Sequence, residues 1–134
     1  MRKQSTGLLI VILVLVSLSL AGCGSTAPAG PAEVHVKLSE FKIEMDKTSL
    51  PAGPVKFIID NAGQLEHEVV LEAAGDVDKP FEANGKEAEA QDIEAGKSAT
   101  LEWTIDKPGQ YQLGCHVPGH YEAGMVTTFT VTAP

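Results

Sequence analysis

The 134 residues include 18 acidic and 10 basic side chains, 43% apolar residues and two cysteines. That length supports one domain, since two cores would leave each half too small to bury most of its surface. The formal charge of −8 argues against a nucleic-acid partner, which would need clustered Lys and Arg to meet phosphates.

The chain starts with the basic Met1-Arg2-Lys3, followed by thirteen residues, Leu8 to Leu20, of which eleven are Leu, Ile or Val. That run fits the apolar stretch of a secretory signal and is shorter than the roughly 20 residues of a membrane span. Leu20-Ala21-Gly22-Cys23 resembles the lipobox of bacterial lipoproteins. The resemblance implies acylation of the Cys23 thiol and cleavage before it, hence an extracytoplasmic protein lipid-anchored to a bacterial membrane, on its periplasmic side or at the cell surface. Cleavage would leave 112 residues and remove Arg2 and Lys3, so 18 acids would face 8 bases. Residues 1–22 are therefore expected to be a signal peptide. Cys23 to Ala32, small and rich in Pro and Gly, reads as a lipidated end with a flexible linker. The domain is expected over 33–134.

From Glu33 the pattern is that of strands. Val34, Val36 and Leu38 alternate with polar residues, and so do Phe41, Ile43 and Met45; the phase change between Leu38 and Phe41 predicts a bulge or bend. Pro51 to Pro54 reads as a turn, Val55 to Asp60 as a strand, and Asn61-Ala62-Gly63 as its end. His67, Val69 and Leu71 share one face of the next strand. Leu101, Trp103 and Ile105 share a face of another, followed by a Pro108-Gly109 turn. Tyr111, Leu113 and Cys115, then Thr127, Phe129 and Val131, complete the alternation. Ala73 to Ala95 is acidic and reads as a surface excursion, with one or two helical turns over Lys86 to Gln91. The pattern predicts an all-β, antiparallel Greek-key β-sandwich of about seven to eight strands.

Lipidation of Cys23 would leave Cys115 as the sole thiol, and an unpaired thiol outside the cytoplasm needs a reason. Cys115, His120 and Met125 follow the spacing C-x4-H-x4-M. A thiolate, an imidazole and a thioether together suit copper, whose two oxidation states prefer sulfur and nitrogen respectively. A trigonal site needs a second imidazole. His67, inward-facing just after a chain break, is the best candidate, while His35 falls on the polar side of its strand.

With these residues the sequence resembles the cupredoxins, the plastocyanin and azurin superfamily of type 1 blue copper proteins, from Glu33 to Pro134. Its loop spacing is nearer to the auracyanins. The resemblance rests on the Asn61-Ala62-Gly63 break before His67, the Tyr111-to-Cys115 approach, and the run from Pro118 to Met125. It implies one copper, held by His67, Cys115 and His120 with Met125 as a long axial ligand. It also implies a small apolar rim of Val117, Pro118, Tyr121 and Ala123 around a surface-reaching edge of His120, where a redox protein would dock. The chain departs from plastocyanin-like members in having Glu68 after the first His and His116 after the Cys. Both face away from the metal on neighbouring strands, so a Glu68–His116 side-chain pair is expected to support the ligands.

The function implied is a membrane-tethered, monomeric electron carrier, not an enzyme, that exchanges single electrons with redox partners. The acidic stretch from Glu66 to Glu94 is available to steer a basic partner. The alternative is a copper-handling protein that stores or delivers the ion through the same residues. Copper reductases and oxidases need further domains or metal sites, and a metal-free adhesion sandwich would leave Cys115 unexplained.

Overall fold

A computed structural model describes residues 30–134. The expected signal peptide, Cys23 and the linker up to residue 29 lie outside the described residues.

The described residues form eleven short strands: β1 Ala32–Ser39, β2 Lys42–Met45, β3 Ser49–Pro51, β4 Gly53–Asn61, β5 His67–Ala73, β6 Glu82–Ala83, β7 Lys86–Glu87, β8 Glu89–Ile93, β9 Ser98–Ile105, β10 Gly109–Gly114 and β11 Val126–Thr132. One sheet has the order β2-β1-β4-β9 and the other β3-β11-β10-β5-β8, with β6-β7 as a separate hairpin. The chain is therefore an all-β sandwich. Val34, Val36 and Leu38 of β1 are buried beside Phe57 and Ile59 of β4 and face Leu71, Leu113 and Phe129 of the second sheet. The rings of Phe57 and Phe129 meet at 5.9 Å and link the two layers. Such alternation puts one face of each strand in the core and the other in water.

The structure differs from expectation in three places. The sheets are mixed, because β1 pairs parallel with β4 and β3 with β11. The intervening strands supply the long crossover that parallel neighbours require. The phase change after Leu38 is a tight hairpin turn: Leu38 faces Ile43 and Ser39 faces Lys42, which leaves Glu40-Phe41 as its tip. Phe41 is thus 46% exposed, outside the core that its alternation suggested. The stretch from Ala73 to Ala95 contains strands, not helical turns. Asn84 and Gly85, with φ of 54° and 72°, turn the β6-β7 hairpin, as such dipeptides do. β8 then pairs with β5, burying Ala88 and Ile93. Burial against a sheet edge outweighs the helical preference of its Glu and Ala residues. Of these strands only β8 joins the two main sheets, which hold nine strands in all.

Candidate metal centre

Adjacent strands β5 and β10 bring the distant halves of the site together. His67 opens β5, beside a register irregularity in its pairing with β8, and Cys115 directly follows β10. The loop from Cys115 to Met125 is closed at its base, where the Cys115 N–H donates to the Met125 carbonyl at 3.0 Å. The Met125 N–H donates to the His120 carbonyl at 3.0 Å, and the His120 N–H to Val117 at 2.9 Å. Gly119 and Gly124 take φ of 83° and 97°, the left-handed region where a side chain would be strained. The backbone alone therefore folds Cys115, His120 and Met125 back toward one end of the sandwich.

His67 Nδ1, His120 Nδ1 and Cys115 Sγ form a triangle. Its sides are 3.2 Å between the imidazoles, 3.5 Å from His120 to sulfur and 4.0 Å from His67 to sulfur. A point equidistant from all three lies about 2.1 Å from each, close to the ~2.0–2.1 Å of metal–imidazole bonds. His67, Cys115 and Met125 are completely buried, and His120 is 7% exposed. Two imidazoles and a thiol converging in a buried pocket are the donors of a trigonal copper site, and they fit one type 1 copper. Burial pushes the Cys115 thiol above its ordinary value of 9.0, although the backbone amides of Glu68 and Val117 favour the thiolate. Burial, and then His120, hold His67 below 6.5 against the pull of Glu40. Without metal, at neutral pH, the site therefore holds a neutral thiol and a neutral His67.

Several supports could not be read from sequence. The buried Asn61 amide donates to the carbonyls of Leu65 and Ile93, each at 2.8 Å, and its oxygen accepts from Gly63 N–H at 2.9 Å. It fixes the segment that delivers His67. Glu40, at the hairpin tip, accepts from the N–H groups of Gln64 and Leu65. A Cβ on Gly63 would stand 2.5 Å from the Glu40 Oε1, so only glycine permits that approach.

The expected Glu68–His116 side-chain pair takes another form. Glu68 Oε1 accepts from the His116 backbone N–H at 2.9 Å, bridging the two ligand-bearing segments. The His116 imidazole turns to Glu72, its Nε2 lying 3.1 Å from Oε1, within ion-pair range but off hydrogen-bond alignment. Glu72 is fully buried. It also accepts from Lys79 N–H and from Gln112 Nε2, both at 2.8 Å. Tyr121, expected on the rim around His120, stacks on His116 at 4.7 Å and 17°, with its hydroxyl 3.1 Å from Gln112 Nε2. The expected surface edge of His120 is largely covered, with the Phe41 ring edge-on to it at 5.4 Å. The only hint of Glu72 in the sequence was an acid within an apolar strand; Glu40 and Phe41 gave none.

The family model described as a cupredoxin-like domain matches residues 8–128. A copper-resistant cuproprotein, CopI, of Rubrivivax gelatinosus is 32% identical over 83 residues, covering 54% of this chain and 48% of that protein. Auracyanin-B of Chloroflexus aurantiacus is 30% identical over 126 residues, covering 78% of this chain and 53% of that protein. The chain spans about half the length of these curated relatives. The structure of dithionite-reduced auracyanin from Roseiflexus castenholzii superposes with a TM-score of 0.63 at 19% identity, over 78% of this chain and 99% of that one. At that identity the likeness speaks for the fold.

Proposed function

The chain belongs to the cupredoxin-like domain family, and on that premise we propose that it is an electron carrier, exchanging single electrons with redox proteins through the His67-Cys115-His120-Met125 centre. Bound copper supplies the one-electron redox change. The chain's own part is to hold the donors still. The observation that carries the reading is that the loop is closed by backbone hydrogen bonds that do not involve the metal. Asn61 and Glu68 brace the His67 side in the same way. A site held this rigidly gives both oxidation states one compromise geometry, so little moves when an electron arrives. Burial of all four side chains keeps water from the metal and resists its exchange. Val117 and Pro118 lie on the same loop as His120 and supply the apolar contact for a weak, transient partner.

Reversible voltammetry of the copper-loaded protein, with copper retained against a mild Cu(I) chelator, is the outcome expected of a carrier. Ready transfer of copper to an acceptor apo-protein would favour the second reading, storage or delivery. That reading is supported by relatives named as copper-resistant cuproproteins.

Lipid tethering outside the cytoplasm is part of the proposal. β1 begins at Ala32 and ends at Ser39, next to the hairpin tip that touches His120. Its eight residues extend about 26 Å, so a tether on the N-terminal side would leave from the pole opposite the copper. The metal end would then face the aqueous compartment. Retention of the chain in membranes, and its release by Cys23→Ala, test the anchor; a soluble wild type would refute it.

A further inference from the structure

The tip of the β1-β2 hairpin bears a cost that the fold does not explain. Among the described residues four non-glycines have positive φ: Phe41, Asp78, Asn84 and Asp92. Asp and Asn tolerate that conformation through their short polar side chains, whereas a bulky residue there is an outlier. Phe41, at φ 61°, bears a strain of about 1–2 kcal/mol. Its return in packing only roughly offsets that strain: the ring is 46% exposed, so about half the burial of a phenylalanine, about 1–1.5 kcal/mol, adds to an aromatic contact of about 0.5–1.5 kcal/mol. Glycine would relieve the strain entirely. Strain and packing therefore nearly cancel, and phenylalanine gains little net stability at this position.

What the ring does is cover His120. It stands edge-on to the imidazole, with centroids 5.4 Å apart and planes at 85°, and His120 is only 7% exposed although it sits in a surface loop. The neighbouring residue anchors the tip: the Glu40 carboxylate accepts from the Gln64 and Leu65 N–H groups just before His67. The hairpin is thus tied to the segment carrying one imidazole while its ring rests on the other. We propose that Phe41 is a cover for the metal centre. It keeps water and small polar reagents from the edge of His120, and it makes its own ring, rather than the imidazole, the surface that a redox partner touches. The last part rests on the electron-transfer reading; the shielding does not.

Carbethoxylation of the apo-protein by diethyl pyrocarbonate, mapped by peptide mass spectrometry, separates the two parts. Exposed His35 is the internal control. Losing a contact of that strength in Phe41→Ala or Phe41→Gly should speed modification of His120 roughly two- to tenfold, while Phe41→Tyr keeps the wild-type rate. Phe41→Gly should stay within about 1 kcal/mol of wild type in urea, which excludes unfolding as the cause. An unchanged His120 rate in both the Ala and the Gly variant overturns the cover. In the copper-loaded protein first reduced to Cu(I), one-electron oxidation by hexacyanoferrate(III) should be faster in Phe41→Ala; an unchanged rate overturns the partner-contact part. A loaded wild type without reversible one-electron chemistry would defeat the carrier reading, yet the apo-protein measurement would still decide the cover.

Discussion

Replacing Glu72 by Gln tests whether the buried network behind Cys115 holds the site. The carboxylate is fully buried and is met by two donors, Lys79 N–H and Gln112 Nε2, each at 2.8 Å, with His116 Nε2 3.1 Å away in ion-pair range but off hydrogen-bond alignment. An amide offers one oxygen and turns its own N–H groups toward one of these donors. One charge-assisted hydrogen bond of about 1.5–3 kcal/mol is lost, and one buried donor is left unpaired at about 1–3 kcal/mol. Partial relaxation brings the expected loss to about 2–4 kcal/mol, a large share of the ~5–15 kcal/mol that holds a domain together. For a domain near 100 residues that corresponds to a fall in Tm of roughly 10–25 °C. Thermal and urea unfolding of the apo-protein read it directly. A Glu72→Gln variant within about 0.5 kcal/mol of wild type, the range of an ordinary surface substitution, would refute the reasoning.

The apo-protein should be most stable between about pH 6.5 and 9, the ordinary values of His67 and Cys115. The lowered His67 value means the unfolded chain binds the extra proton first, so stability falls as pH drops below 6.5. The raised Cys115 value means the unfolded chain loses its proton first, so stability falls above pH 9; urea midpoints across pH check both limbs. Copper binding must expel the Cys115 proton, so apparent affinity should rise about tenfold per pH unit between pH 7 and 9, read by competition with a chelator of known pH dependence. Asn61→Asp sets carboxylate oxygens against the Leu65 and Ile93 carbonyls now reached at 2.8 Å. It should cost about 2–4 kcal/mol and weaken copper retention; a stable variant with unaltered copper retention would show that this brace is dispensable.

The parts of the site legible in sequence were those written locally. Cys115, His120 and Met125 lie within one loop, and the chemistry of their side chains names the metal before any fold is known. His67 could be placed because alternation with Val69 and Leu71 and the break at Asn61 together set its direction. Glu40 and Phe41 approach the site from a hairpin whose register decides which way they point, and the sequence showed only a change of phase there. Glu72 faces away from the core on β5, where alternation predicts water. It is buried only because Lys79, Tyr121 and Gln112 close over that face, a tertiary event without local pattern. His116 misled for the same reason: residues 68 and 116 do lie side by side, but the acceptor at 68 meets the main chain of His116 while its ring goes to Glu72. The run from Lys86 to Gln91 has helical composition and forms strands, since β5 offers it an edge to pair with.

The most direct test of the central claim is titration of the apo-protein with Cu(II), followed by its visible spectrum. One equivalent should bind and produce the intense blue band of thiolate-to-copper charge transfer, which Cys115→Ser abolishes and His67→Ala or His120→Ala alters or weakens. A colourless protein, or a blue band that survives Cys115→Ser, would contradict the assignment of this centre.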